Sequence, residues 1–204
     1  MRVSEHPLVL KVIVLVVALL AAGGCASSGA AKRNANHIIL VGHGIPAKDY
    51  PKARLSEFFR TNRHDSGGEA HDRDSTDVQV EQLELEIRNW PRTFSNDPYK
   101  FGVVHLAERL REQSGWPVSI AFNEFCAPTL REAIDEAVQR GAARIIVVST
   151  MITPGGTHSE VDIPRSIEEA RRQYANVEIV YAWPFDLERV AAMLEDEVRR
   201  LDAH

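Results

Sequence analysis

A chain of 204 residues with 44% hydrophobic and 26% charged side chains can bury one sizeable core but not two ample ones. Its net charge of −5 lacks the basic bias that a phosphate backbone demands, so no nucleic acid is expected as a partner.

Arg2 and Lys11 flank the start of an apolar run from Val12 to Ala22. That run falls short of the about 20 residues of a spanning helix but suits the core of a secretory signal. It ends in Leu20-Ala21-Ala22-Gly23-Gly24-Cys25, followed by the small, polar Ala26-Ser27-Ser28-Gly29. The string resembles the lipobox of bacterial lipoproteins, in which the cysteine is acylated and becomes the first residue. Residues 1–24 are therefore read as a signal peptide, and 25–36 as a lipidated Cys25 with a flexible linker. The implied product is exported, a cell-envelope lipoprotein anchored to a membrane through its lipid, on the periplasmic or outer side. Cys126 would then be the only thiol of the mature chain, which leaves no intramolecular disulfide.

From His37 the pattern alternates. Ile38-Ile39-Leu40-Val41, closed by Gly42, is a continuous apolar run of the kind found in buried parallel strands. Residues 60–98 break the rhythm and read as a helical and loop insertion. Its His64 to Thr76 stretch is polar and glycine-containing, a solvated acidic loop in which His64 and His71 offer at most weak metal contacts. Val80, Leu83, Ile87 and Trp90 then keep helical spacing until Pro91 ends it. Val103, Leu106, Ala107 and Leu110 mark a helix before a second strand, Val118 to Phe122. Leu130, Ala133, Ile134, Ala137 and Val138 form the next helical stripe, with Pro128 in its first turn and Gly141 at its stop. Ile145 to Val148 is the third strand. The stripe Ile163, Ile167, Ala170 and Tyr174 follows, opened by Asp162 and Pro164. Val177 to Tyr181 is the fourth strand, and Leu187, Val190, Ala191, Leu194, Val198 and Leu201 form a last core-facing stripe capped by Asp186. Such alternation implies βαβ crossovers and a four-stranded parallel sheet with helices on both faces, one domain over 37–203.

Ligands of open parallel sheets bind beyond the carboxyl ends of the strands. His43 follows the first strand, Glu124 the second, and His158 lies in the loop after the third. Two imidazoles and a carboxylate suit Co²⁺, Ni²⁺, Fe²⁺ or Zn²⁺, and nothing in the chain calls for a nucleotide cofactor. Glu160 and Asp162 stand just beyond His158, either as a proton relay or ligand orienters, or as acids favoured at a helix N-terminus. Lys48, Lys52, Arg54 and Arg165 read as exposed surface charges. Cys126 reads as a small buried side chain near Glu124.

The strings VGHG, AFNEF followed by Pro128-Thr129-Leu130, and PGGTHSEVDIP resemble the sirohydrochlorin cobaltochelatase (CbiX) family of class II tetrapyrrole chelatases. The resemblance runs from about His37 to Ala182 apart from the insertion. It implies a flavodoxin-like, chelatase-like α/β domain that inserts a divalent metal, taken as substrate, into a tetrapyrrole. In that case His43 and His158 are the metal-binding pair and Glu124 the acidic residue of the catalytic site. With one GHG and one GGTH unit, a two-lobed cleft needs a homodimer or the insertion for its other wall. Exposed apolar residues in 78–90 would point to the homodimer. The rival reading is a non-catalytic metal- or tetrapyrrole-binding lipoprotein of the envelope.

Overall fold

The computed structural model describes residues 36–64 and 73–202. The signal peptide, Cys25, the linker before Asn36 and most of the polar loop lie outside those residues. The elements run β1 (Asn36–Gly42), α1 (Lys52–His64), α2 (Arg73–Asn89), α3 (Pro98–Ser114), β2 (Val118–Phe122), α4 (Leu130–Gln139), β3 (Arg144–Ser149), a π-helical turn (His158–Asp162), α5 (Ile163–Gln173), β4 (Glu178–Tyr181) and α6 (Leu187–Asp202).

All four strands are parallel, in the order β2-β1-β3-β4. Ile38 pairs with Val118 on one side of β1 and Ile146 on the other. The chain leaves β1 towards β2 and then crosses to β3, so the strand order reverses at β1. A crevice opens at the carboxyl ends where that happens.

The apolar run of β1 is buried on both faces, as a central parallel strand requires. Ile39 and Val41 pack with Ala133 and Ile134 of α4 and with Ile163, Ile167 and Ala170 of α5. Leu40 and Phe122 pack on the other face with Val103 and Ala107 of α3 and with Cys126. Each fully buried Ile or Val side chain contributes about 1.5–3 kcal/mol of transfer free energy. His37 is also buried, with Nε2 2.8 Å from Ser119 Oγ. Burial, aided by Arg140, holds its imidazole below the usual histidine range.

Four details differ from the sequence reading. Pro128 does not lie in the first turn of α4; it precedes Thr129, which caps the helix in a capping box with Glu132. The insertion begins earlier than residue 60, because α1 pairs with α2 in a helical hairpin. Phe58, Leu83 and Ile87 form its core with Ala47 and Tyr50, while Val78 and Leu85 of α2 are exposed. The last stripe does form a helix, capped by Asp186 Oδ1, but it is not part of the core. No residue of α6 is buried, and Leu187, Leu194, Val198 and Leu201 are exposed. Along β3, Ile146 and Val148 are half-buried where Ile145 and Val147 are fully buried. Leu106 of α3, expected in the core, is exposed as well. Among the described residues no helix is long and apolar enough to cross a membrane.

Candidate metal centre

The loops leaving β1, β2 and β3 bring His43, Glu124 and His158 together. One ligand atom from each lies within 4.8 Å of the others. His43 Nε2 is 4.0 Å from Glu124 Oε2, and His158 Nε2 is 3.7 Å from Glu124 Oε1. The imidazoles meet edge to face, with centroids 4.8 Å apart. Ligand atoms sharing one ion at about 2.0–2.2 Å stand roughly 3 Å apart, so small side-chain rotations would close the set on a cation.

Backbone contacts fix the first two ligands. Asn123 N–H donates to Gly42 O and Glu124 N–H to His43 O, at 3.0 and 2.8 Å, so the β2 loop extends the sheet past the strand end. Gly44 makes this approach possible. Its φ is +92°, and a Cβ there would stand 1.8 Å from the Glu124 carbonyl oxygen, so any side chain would displace the loop. The His43 N–H donates to Tyr99 Oη at 2.9 Å.

Hydrogen bonding also sets which ring nitrogens are free. His43 Nδ1 is 2.7 Å from Gly44 O, and a carbonyl can only accept. The proton of the neutral ring therefore sits on Nδ1, and Nε2 turns its lone pair to Glu124. The same logic applies at His158, whose Nδ1 is 2.7 Å from Asp162 Oδ2. This is the carboxylate–imidazole pairing that orients metal-binding histidines and raises their basicity. The Asn123 amide also lies 2.7 Å from that nitrogen, and a proton on Nδ1 requires it to turn its oxygen to the ring.

The other expected residues separate. Asp162 sits behind His158 as an orienting group and makes no side-chain cap for α5. Glu160 Oε1 accepts from Gly155 N–H at 2.6 Å and ties down the glycine loop. Glu124 does not cap α4, since Thr129 does. Cys126 is fully buried beneath the site, and desolvation pushes its thiol above the usual range. Arg54 is engaged by Glu57 and Glu86. The side chain of His64 and all of His71 lie outside the described residues.

Sequence reasoning missed two arginines that hold the Glu124 loop. Arg88 of α2 donates to Asn123 O and Cys126 O, at 2.8 and 3.2 Å. Arg92 is buried against Asp97 and engages the carbonyls of Ile45, Ile87, Trp90 and Phe125. It thereby joins the loop after His43 to the loop after Glu124. Phe125, between the two clamped positions, has a φ of +55°, a strained value for a bulky residue that only a well-held loop sustains. No periodic pattern marks an arginine for such work; only the NEF string around Glu124 hinted at Asn123.

The CbiX family model matches residues 95–201. The sirohydrochlorin cobaltochelatase of Priestia megaterium is 36% identical over 80 residues, which cover 37% of this chain and 26% of that protein. The chain thus spans about a quarter of the length of that curated relative. A sirohydrochlorin cobaltochelatase of Methanopyrus kandleri is 30% identical over 125 residues, covering 50% of this chain and 87% of that one. Among solved structures, the sirohydrochlorin chelatase SirB from Bacillus subtilis subspecies spizizenii in complex with cobalt aligns with a TM-score of 0.40. That alignment has 20% identity over 78% of this chain and 48% of that one.

Proposed function

This chain belongs to the CbiX family, and from that premise we propose that it inserts a divalent metal, Co²⁺ first and Ni²⁺ or Fe²⁺ next, into a sirohydrochlorin-type tetrapyrrole. The observation that carries the reading is the triad of His43, Glu124 and His158, with both Nε2 lone pairs and a carboxylate converging at the crevice.

Metallation exchanges two pyrrole N–H protons for one dication. Neutral imidazoles hold the arriving ion and still release it, where thiolates would retain it. As macrocycle nitrogens replace the imidazoles on the ion, Glu124 accepts one pyrrole proton. The second goes to an Nε2 that has just given up the metal, and both pass on to water. Asp162 keeps His158 in the tautomer that this sequence needs.

Stopped-flow absorbance of the purified protein with metal-free sirohydrochlorin and each ion tests the proposal. Clear acceleration over the protein-free rate is expected, and comparing ions identifies the preferred metal. Tight ion binding by calorimetry without acceleration would replace the enzyme with a non-catalytic binder.

We also propose, on residues 2–29 alone, export and acylation at Cys25. Substituting Cys25→Ser should then move the protein from the membrane to the soluble envelope fraction; an unchanged distribution would count against acylation.

A further inference from the structure

The hairpin of α1 and α2 precedes the matched residues 95–201 and stands beside the metal centre. A cavity of about 680 Å³ lies between the two, within the usual size range of small-molecule sites. Phe58 and Phe59 of α1 and Val80 of α2 line one side. Glu124, Phe125 and Arg165 line the other. Glu124 is thus shared by the cavity and the metal triad.

The three phenylalanines pack edge to face, with centroids 5.5–6.2 Å apart. Phe58 is buried, whereas Phe59 is 41% exposed and so has surface left for a ligand. The strained backbone of Phe125 keeps its ring within this cluster. Two arginines also line the cavity. Arg88 is engaged by Glu84 and by the Asn123 and Cys126 carbonyls. Arg165 is exposed and has no hydrogen-bond or ion-pair partner among the described residues. The exposed ring of Phe59, an exposed cation at the rim and a proton acceptor at the inner end match a planar macrocycle with peripheral carboxylates.

We propose that the α1–α2 hairpin supplies, within the same chain, the second wall of the macrocycle cleft; the exposed Val78 and Leu85, on which a homodimer would rely, do not line this cavity. Phe59 packs against the tetrapyrrole plane and Arg165 pairs with a peripheral carboxylate, so the ring nitrogens face Glu124. This rests on the chelatase reading above.

The test titrates metal-free sirohydrochlorin into the full chain, following the macrocycle's absorbance, and measures Co²⁺ binding separately by calorimetry. Phe59→Ala and Arg165→Glu should each weaken macrocycle binding about tenfold and leave Co²⁺ affinity within about twofold, as expected for single stacking and charge-assisted contacts. Phe59→Trp, which keeps a flat ring, should retain macrocycle affinity. Phe94→Ala, at an aromatic that is 65% exposed outside the cavity, should alter neither. Wild-type macrocycle affinity in both Phe59→Ala and Arg165→Glu, with turnover intact, would overturn the hairpin wall and leave the chelatase reading standing. A wild-type chain that binds no macrocycle would overturn both.

Discussion

Replacing His158 by Ala is expected to lower Co²⁺ affinity by at least about 100-fold while changing unfolding free energy by less than about 1 kcal/mol. The two effects part because His158 belongs to none of the buried hydrophobic clusters and its Nε2 faces Glu124. His43→Ala should behave alike, since Gly44 and the Tyr99 hydroxyl hold that backbone whatever the ring does. Asp162→Asn should cost about 10–100-fold in affinity by weakening the hold on the His158 tautomer. Glu124→Gln divides the triad's roles. It leaves both imidazoles, so binding should fall less than in His158→Ala, while turnover should drop about 10²–10⁴-fold with the proton acceptor gone. Calorimetry with Co²⁺ and the absorbance assay read the two separately. Full metal affinity in both His→Ala variants would remove the ion from this site.

The second large effect lies behind the site. Arg92→Ala should destabilise the fold by about 3–5 kcal/mol, read as a lower urea midpoint at constant slope. The guanidinium fork serves four carbonyls and Asp97. With Asp97 only 1% exposed, truncation strands a buried carboxylate as well as the carbonyls. Lysine should not rescue the loss, because a single ammonium cannot address partners spread around a planar fork. Asp97 also accepts from Lys100 N–H at the start of α3, so the damage should reach that helix. A loss below about 1 kcal/mol would show that water or a local shift satisfies these groups.

The sheet was legible because Ile38–Val41 of β1 and Ile145–Val148 of β3 are short, unbroken apolar runs of the kind that a doubly covered parallel sheet accommodates. The convergence of His43, Glu124 and His158 was legible because strand ends are where such sheets place ligands. Helix α1 was not, since Lys52–His64 offers only Leu55, Phe58 and Phe59 as large apolar side chains among mostly charged and polar residues, and it docks mainly on another insertion helix. Helix α6 shows the opposite failure. Its period was read correctly, yet periodicity reports that one face is apolar and not what lies against it. The arginine clamps were invisible for a third reason: each joins carbonyls distant in sequence, and carbonyls carry no residue identity.

The two ends of the insertion meet. Lys48 N–H donates to Asn96 O at 2.8 Å, and one nitrogen of Arg92 bridges Ile45 O and Asp97 Oδ2. A segment whose ends are stitched together at its base can grow or shrink with little change in closure entropy, because that cost rises only logarithmically with length. The hairpin is in that sense an interchangeable cassette beside the crevice where His43, Glu124 and His158 converge. On the proposed reading, remodelling it would change which macrocycle fits while leaving those three residues untouched.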